Sequence, residues 1–177
     1  MRWCAPRGVD GLDGPEASET LWTVATRSAA ETEALGQRLG ACARPGDALL
    51  LSGPVGAGKT VLAGGVLSGL GVPAPHPSPT FTLLRTYRGR LPAVHADLYR
   101  LPPGFASEEI GWDDELLDGA VAVVEWAERL GRHAPADAVA AHLEPTPPGR
   151  LVTVRATGPA ARRWLAESRA AVGRVGR

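Results

Sequence analysis

The segment GPVGAGKT, at 53–60, sets residues that can do chemistry at a fixed spacing: Gly53, four intervening positions, then Gly58, Lys59 and Thr60. It follows the apolar run ALLL at 48–51 and precedes a stretch with helical character. A strand–loop–helix setting is where this spacing cradles phosphate. Gly53, Gly56 and Gly58 admit positive φ and keep side chains away from the phosphates. Main-chain N–H groups then converge on an anion at a helix N-terminus, where the partial charge is positive. Lys59 is expected to set a compact ammonium against the β- and γ-phosphates, and Thr60 to offer a hydroxyl to Mg²⁺.

Lys59 is the sole lysine among the 19 Lys and Arg residues of the chain, which also has no Asn and a single Ile. That composition reads as a GC-rich coding bias toward arginine, and Lys59 is its exception. A guanidinium is planar and forked and would crowd a loop wrapped round one phosphate, whereas a slender stem with a point charge fits.

Mg²⁺ needs an acid, and two compete for the role. Glu125 ends the apolar run AVAVV, and Asp97 ends AVHA. Either could hold the ion or position an attacking water; the bland reading of each, as a cap or a surface acid, carries less weight. His95 alternates with Asp97, so both face one side of a strand, and His95 is read as structural or catalytic. Trp126, beside Glu125, is read as a core residue or a contact. The SPT stretch at 78–80 is either a proline turn or a switch whose hydroxyl senses γ-phosphate or metal.

These residues need elements to hold them. TLWTVAT at 20–26 alternates like a strand. A helix follows, with Ser28 and Glu31 as a capping box and Leu35, Leu39 and Cys42 along one face. ALLL at 48–51 reads as a buried parallel strand, and a helix is expected from 58 to 70, stopped by Gly71 and Pro73. FTLLRTY and LPAVHADLY read as strands, PGFASEEIGWDDELLDG as a short acidic helical region, and AVAVVEW at 120–126 as the most buried strand. AVAAHLE and LVTVRAT flank PTPPG and predict a hairpin. A closing helix follows, with Trp164, Leu165 and Val172 inward. The expected fold is a single α/β P-loop domain over residues 21–177, a mainly parallel sheet flanked by helices with a C-terminal hairpin and helix. Residues 1–20, rich in Gly, Pro and acid, read as a disordered extension.

The net charge is +0, which argues against strong nucleic-acid binding by the chain alone, since phosphate-backbone affinity needs a cationic face. Acids crowd the stretch from Asp97 to Glu128, and arginines the stretch from 150 onward. Both read as solvated surface or as partner faces. The 2 cysteines, Cys4 and Cys42, form no disulfide framework or metal spacing, as suits a reducing cytoplasm. The first twenty residues lack the apolar core of a signal peptide, and no apolar run is long enough to span a bilayer.

LSGPVGAGKT, GLG, SPTFTLLRTY, HADLYRL, VEW and a late GR occur in this order from about residue 21 to 165. With that ordered set the chain resembles the TsaE (YjeE) family, ATPases of bacterial tRNA threonylcarbamoyladenosine biosynthesis. The resemblance implies that Gly56, Ala57, Gly58, Lys59 and Thr60 cradle ATP, with Thr60 and Glu125 on Mg²⁺. It implies that Asp97 is needed for turnover, that Thr80 belongs to the switch-like loop, and that Trp126 lies beside the nucleotide. Arg150 matches a late basic residue near the nucleotide, and Ser28 falls where the family approaches the base. Lys59, Asp97 and Glu125 are thus the expected catalytic residues. The implied partner is a TsaB–TsaD complex that transfers threonylcarbamoyl to adenosine 37 of tRNA. The chain departs from the family pattern in its extension and at Ala127, where proline is common. Two other readings share Lys59 and Thr60: a small P-loop kinase, which should carry an arginine-rich lid, and a nucleotide-sensing module without useful turnover.

Overall fold

The computed structural model describes residues 21–102 and 119–172. The expected extension at 1–20 and the acidic helical region at 103–118 lie outside the described residues. Four strands run parallel in the order β6 (Val139–Thr146), β2 (Ala48–Ser52), β5 (Val121–Glu125) and β4 (Pro92–Asp97). The central strand β5 carries an unbroken apolar run up to Glu125 because both its faces are covered, and every one of its residues is buried. β3 (Leu84–Arg88) closes one edge antiparallel to β4. On the other side β7 (Gly149–Ala156) folds back on β6 as the expected hairpin, and β1 (Leu21–Thr26) adds antiparallel to β7. The result is a 7-stranded, mostly parallel sheet, as the sequence predicts.

Alternation divides the core between the two faces. Val121 and Val123 join Leu49, Leu51 and the helices α1 (Ala29–Cys42), α2 (Lys59–Gly69) and α3 (Pro159–Val172) on one side. Ala122 and Val124 join Val94, Ala96, Leu98 and Leu130 on the other. Trp164 and Leu165 are fully buried, as expected of the inner face of α3. The Trp164 indole N–H donates to the Leu39 carbonyl at 2.8 Å, so its one polar atom is satisfied inside the core. The Val172 side chain lies outside the described set. Among the described residues no helix is long and apolar enough to cross a membrane.

Ser28 caps α1 by accepting from the Glu31 N–H at 3.1 Å. The Glu31 carboxylate reaches back one residue further than a standard capping box, to the Arg27 N–H at 2.8 Å. α1 and α2 meet through glycines. A methyl group at Gly36 or Gly40 would come within 2.3 or 2.1 Å of the Leu62 or Val66 carbonyl oxygen. The arginine-rich C-terminal region is partly structural: Arg163 makes two bonds, 2.6 and 2.7 Å, to the buried carboxylate of Asp47.

The strand read into FTLLRTY is shorter than expected. Thr82 and Leu83 N–H groups both turn back to the Pro79 carbonyl, at 3.0 and 2.7 Å, and Leu83 takes a φ of 63°. Pairing therefore starts only at Leu84, and Phe81 is left 84% exposed.

Candidate functional site

α2 starts at Lys59, directly after the loop that leaves β2. Its N-cap is Gly58, with φ 101° and no side chain to satisfy the first-turn N–H groups. Those donors stay available to an anion. Gly56 has φ 79°, and a Cβ there would meet nothing within 4 Å, so the loop opens toward free space at that point. Gly53 and Ala57 serve the loop's shape instead. A Cβ at Gly53 would strike the Leu143 carbonyl oxygen of β6 at 2.3 Å. Ala57 is buried and its N–H donates to the Pro54 carbonyl at 3.2 Å.

The loop forms one wall of a cleft of about 400 Å³. Gly56, Gly58, Lys59 and Thr60 line that wall; Thr80, Asp97 and Glu125 line the acidic side, with Tyr99 and Trp126 beside them. The two acids meet because β4 and β5 are parallel neighbours with Asp97 directly opposite Glu125. Both are strand-terminal and almost fully buried. Glu125 Oε2 accepts from the Thr60 hydroxyl at 2.8 Å, and Oε1 lies 2.9 Å from His95 Nε2. Asp97 Oδ2 accepts from Thr80 Oγ1 at 2.6 Å and Ser78 Oγ at 2.9 Å, while Oδ1 accepts from the Tyr99 N–H at 3.1 Å.

Lys59 is 5% exposed and bends back over its own loop. Its ammonium donates to the carbonyls of Gly53 at 2.7 Å and Pro54 at 2.9 Å and sits over the Trp126 ring. Burial pulls its pKa below the ordinary lysine value, against the opposing charges of Glu125, Glu128 and Asp97. Trp126 reaches this place by a left-handed turn, φ 59°, at the end of β5, and its ring packs 5.0 Å from that of Tyr99. A left-handed conformation at a bulky residue is costly and is kept where the surroundings fix it.

Thr60 and Glu125 converge two oxygen donors beside the phosphate loop, a hard-ligand pair of the kind Mg²⁺ takes together with phosphate oxygens. The open flank at Gly56 and the uncapped helix start are the cradle a polyphosphate requires. The residues present therefore fit both groups.

Of the residues singled out in the sequence, Lys59, Thr60, Thr80, Asp97, Glu125 and Trp126 line this one cleft. Ser28 and Arg150 come together elsewhere, behind the loop. Arg150 donates to the Ser28 carbonyl at 3.3 Å and to the Thr32 hydroxyl, and its guanidinium lies against Gly58. Neither residue lines the cleft. Sequence reading passed over Tyr99, which lines the cleft, and gave Ser78 no role of its own. Tyr99 lies two residues beyond Asp97, and Ser78 two before Thr80; both follow from the motif neighbours once a cleft is known.

A sequence profile described as "Threonylcarbamoyl adenosine biosynthesis protein TsaE" matches residues 26–151. The chain belongs to the TsaE family. Among its relatives is the "tRNA threonylcarbamoyladenosine biosynthesis protein TsaE" of Mycobacterium bovis, 45% identical over 109 residues, 56% of this chain and 65% of the relative. The protein of the same name from Bacillus subtilis is 41% identical over 106 residues, 59% of this chain and 66% of its own length. That of Treponema pallidum is 38% identical over 110 residues, 62% of this chain and 82% of the relative. The matched part thus spans just under two thirds of the mycobacterial and Bacillus family members. The crystal structure of Bacillus subtilis YdiB superposes with a TM-score of 0.74 at 28% identity, covering 86% of this chain and 97% of that one. The likeness extends over most of the sheet-and-helix fold of this chain.

Proposed function

We propose that this chain binds and hydrolyses ATP with Mg²⁺ and serves, as its relatives' names suggest for them, in forming threonylcarbamoyladenosine on tRNA. In this reading it works through a TsaB–TsaD complex at adenosine 37. The observation that carries the proposal is the convergence of Lys59, the Thr60–Glu125 pair and the Thr80–Asp97 pair on one cleft, in a chain of this family.

The first-turn N–H groups of α2 and the open flank at Gly56 bind the phosphates. Lys59 leaves the Gly53 and Pro54 carbonyls and turns its ammonium to phosphate oxygen. Thr60 and Glu125 would hold Mg²⁺, which when bound neutralises charge on the phosphates. Asp97 orients the attacking water, with its Oδ2 steadied by Thr80 and Ser78. The water oxygen bonds to the γ-phosphorus as the bond to the bridging oxygen breaks, giving ADP and phosphate. Trp126 and Tyr99 narrow the cleft and limit bulk water. Cytoplasmic location and weak nucleic-acid binding by the chain alone go with this reading.

The test is γ-labelled ATP and Mg²⁺ given to the purified chain, alone and with TsaB–TsaD and tRNA. Free phosphate and ATP-dependent modification of the tRNA are expected. A phosphorylated small molecule from added metabolites would favour the kinase reading, and ATP bound without any phosphate release would favour the sensing module.

A further inference from the structure

His95 lies on β4, fully buried, with its Nε2 2.9 Å from Glu125 Oε1. The other carboxylate oxygen is taken by Thr60. Both oxygens of Glu125 are therefore engaged, from two elements that approach it from different sides. The second ring nitrogen of His95, Nδ1, is buried and has no hydrogen-bond partner. That asymmetry identifies the tautomer. A hydrogen on Nδ1 would be a buried donor without an acceptor, which is costlier than an idle lone pair. The hydrogen therefore sits on Nε2 and points at Glu125. The neighbours of His95 across the sheet are Val123 on β5 and Arg85 on β3.

We infer that His95 is a positioning residue for Glu125: its Nε2–H fixes the plane of the carboxylate, so that Oε2 stays turned to Thr60 and the phosphate loop. The inference rests on the reading of Glu125 as the acid that serves Mg²⁺ and turnover. His95 itself does not line the cleft and reaches it only through Glu125. A core-filling histidine would need only its shape, whereas a positioning histidine needs a donor at the place of Nε2. Glutamine and asparagine separate these roles by reach. The glutamine amide nitrogen can extend to the place of Nε2, while that of asparagine reaches only the place of Nδ1.

The experiment compares His95→Gln, His95→Asn and His95→Leu in the full chain with TsaB–TsaD, measuring kcat, KM for ATP and ADP affinity per folded molecule. Loss of an outer partner of a metal-serving group costs about 10–100-fold. A kcat loss of that order is expected for Asn and Leu, with ADP affinity unchanged and Gln close to the native rate. Nitrogen-15 NMR of the native histidine, read without nucleotide or metal, is expected to show hydrogen on Nε2. Equal kcat for Gln and Asn, ADP affinity falling in step with kcat, or no hydrogen on Nε2 would each overturn the inference. If His95→Leu does not fold, the Gln–Asn pair decides. A native chain that never releases phosphate would defeat the ATPase reading itself, whereas a native chain that turns over beside silent His95 variants would defeat this inference alone.

Discussion

The ammonium of Lys59 sits 3.8 Å from the centre of the Trp126 ring. Two carbonyls and an indole face thus hold the cation over its own loop, and in the proposed function phosphate draws it from there. Removing that charge in Lys59→Ala should weaken ADP binding by about 10–100-fold, the worth of a charge-assisted hydrogen bond of roughly 1.5–3 kcal/mol. Lys59→Arg should fail as well, because the wider guanidinium has to fit between the loop and the ring. Titration with a fluorescent ADP analogue measures both, and native affinity in the arginine variant would refute the crowding argument.

Lys59 also predicts a pH dependence. Its pKa in the folded chain lies below the ordinary 10.5, first because of burial, with the neighbouring acids opposing. As pH rises, the folded chain releases this proton before the unfolded chain does. Below the folded value the penalty is fully present; between that value and 10.5 the unfolded chain binds more protons, so the Lys59 contribution to stability rises with pH. Binding has the opposite sign, since an uncharged amine does not attract phosphate. ADP affinity in the native chain should begin to fall below pH 10.5, and the fall should be absent in Lys59→Ala.

Glu125→Ala should keep ADP and lose hydrolysis, since the α2 N-terminus still binds phosphate. A drop in kcat of about 100-fold or more is expected for removal of a metal-serving acid. Loss of ADP binding by a folded variant would show that Glu125 has a different task.

Asp97→Asn should likewise slow turnover, for a different reason. Asp97 accepts from Ser78 and Thr80 on one oxygen and from the Tyr99 N–H on the other. An amide supplies one acceptor oxygen and one NH₂ donor: with the oxygen on the Tyr99 N–H, the NH₂ faces the Ser78 and Thr80 hydroxyls, which must turn from donors to acceptors. Hydrogen exchange should quicken at 78–83 where the reversed bonds hold the loop less well, or at 99 should the amide turn its NH₂ to the Tyr99 N–H. Unchanged exchange at both, with slow turnover, would place the effect in the chemistry alone.

Asp47→Ala tests the frame rather than the site. The carboxylate is buried, holds Arg163 twice and accepts from the Arg44 N–H at 2.8 Å. Its removal should cost about 1.5–3 kcal/mol, as for hydrogen bonds to a charged group. A fall in denaturation midpoint at unchanged m-value measures it, and an unmoved midpoint would contradict the assignment.

The phosphate loop was legible because its signal is contiguous: glycine spacing, the preceding apolar run and the following helix lie within about two dozen residues. Asp97 and Glu125 were legible as acids at the ends of apolar runs. Their direct opposition across β4 and β5 was not, because register between distant strands is set by tertiary pairing that no local pattern spells out. The same holds for Arg150 behind Gly58 and for His95 on Glu125, contacts made across many residues. FTLLRTY reads as a strand that begins at Phe81, and the turn held by the Pro79 carbonyl overrides its first residues.

Where α1 crosses α2, small residues answer one another from both sides: Gly65 and Gly69 press on the carbonyls of Glu33 and Gln37, as Gly36 and Gly40 do on those of Leu62 and Val66. With main chain bolted to main chain, the helix that opens at Lys59 has no slack in which to slide or roll. It is an anvil. On the proposed function, what gives way is expected to be light: the Lys59 stem swinging off the indole, and the segment from Ser78 to Leu83, which Asp97 holds by the Ser78 and Thr80 hydroxyls.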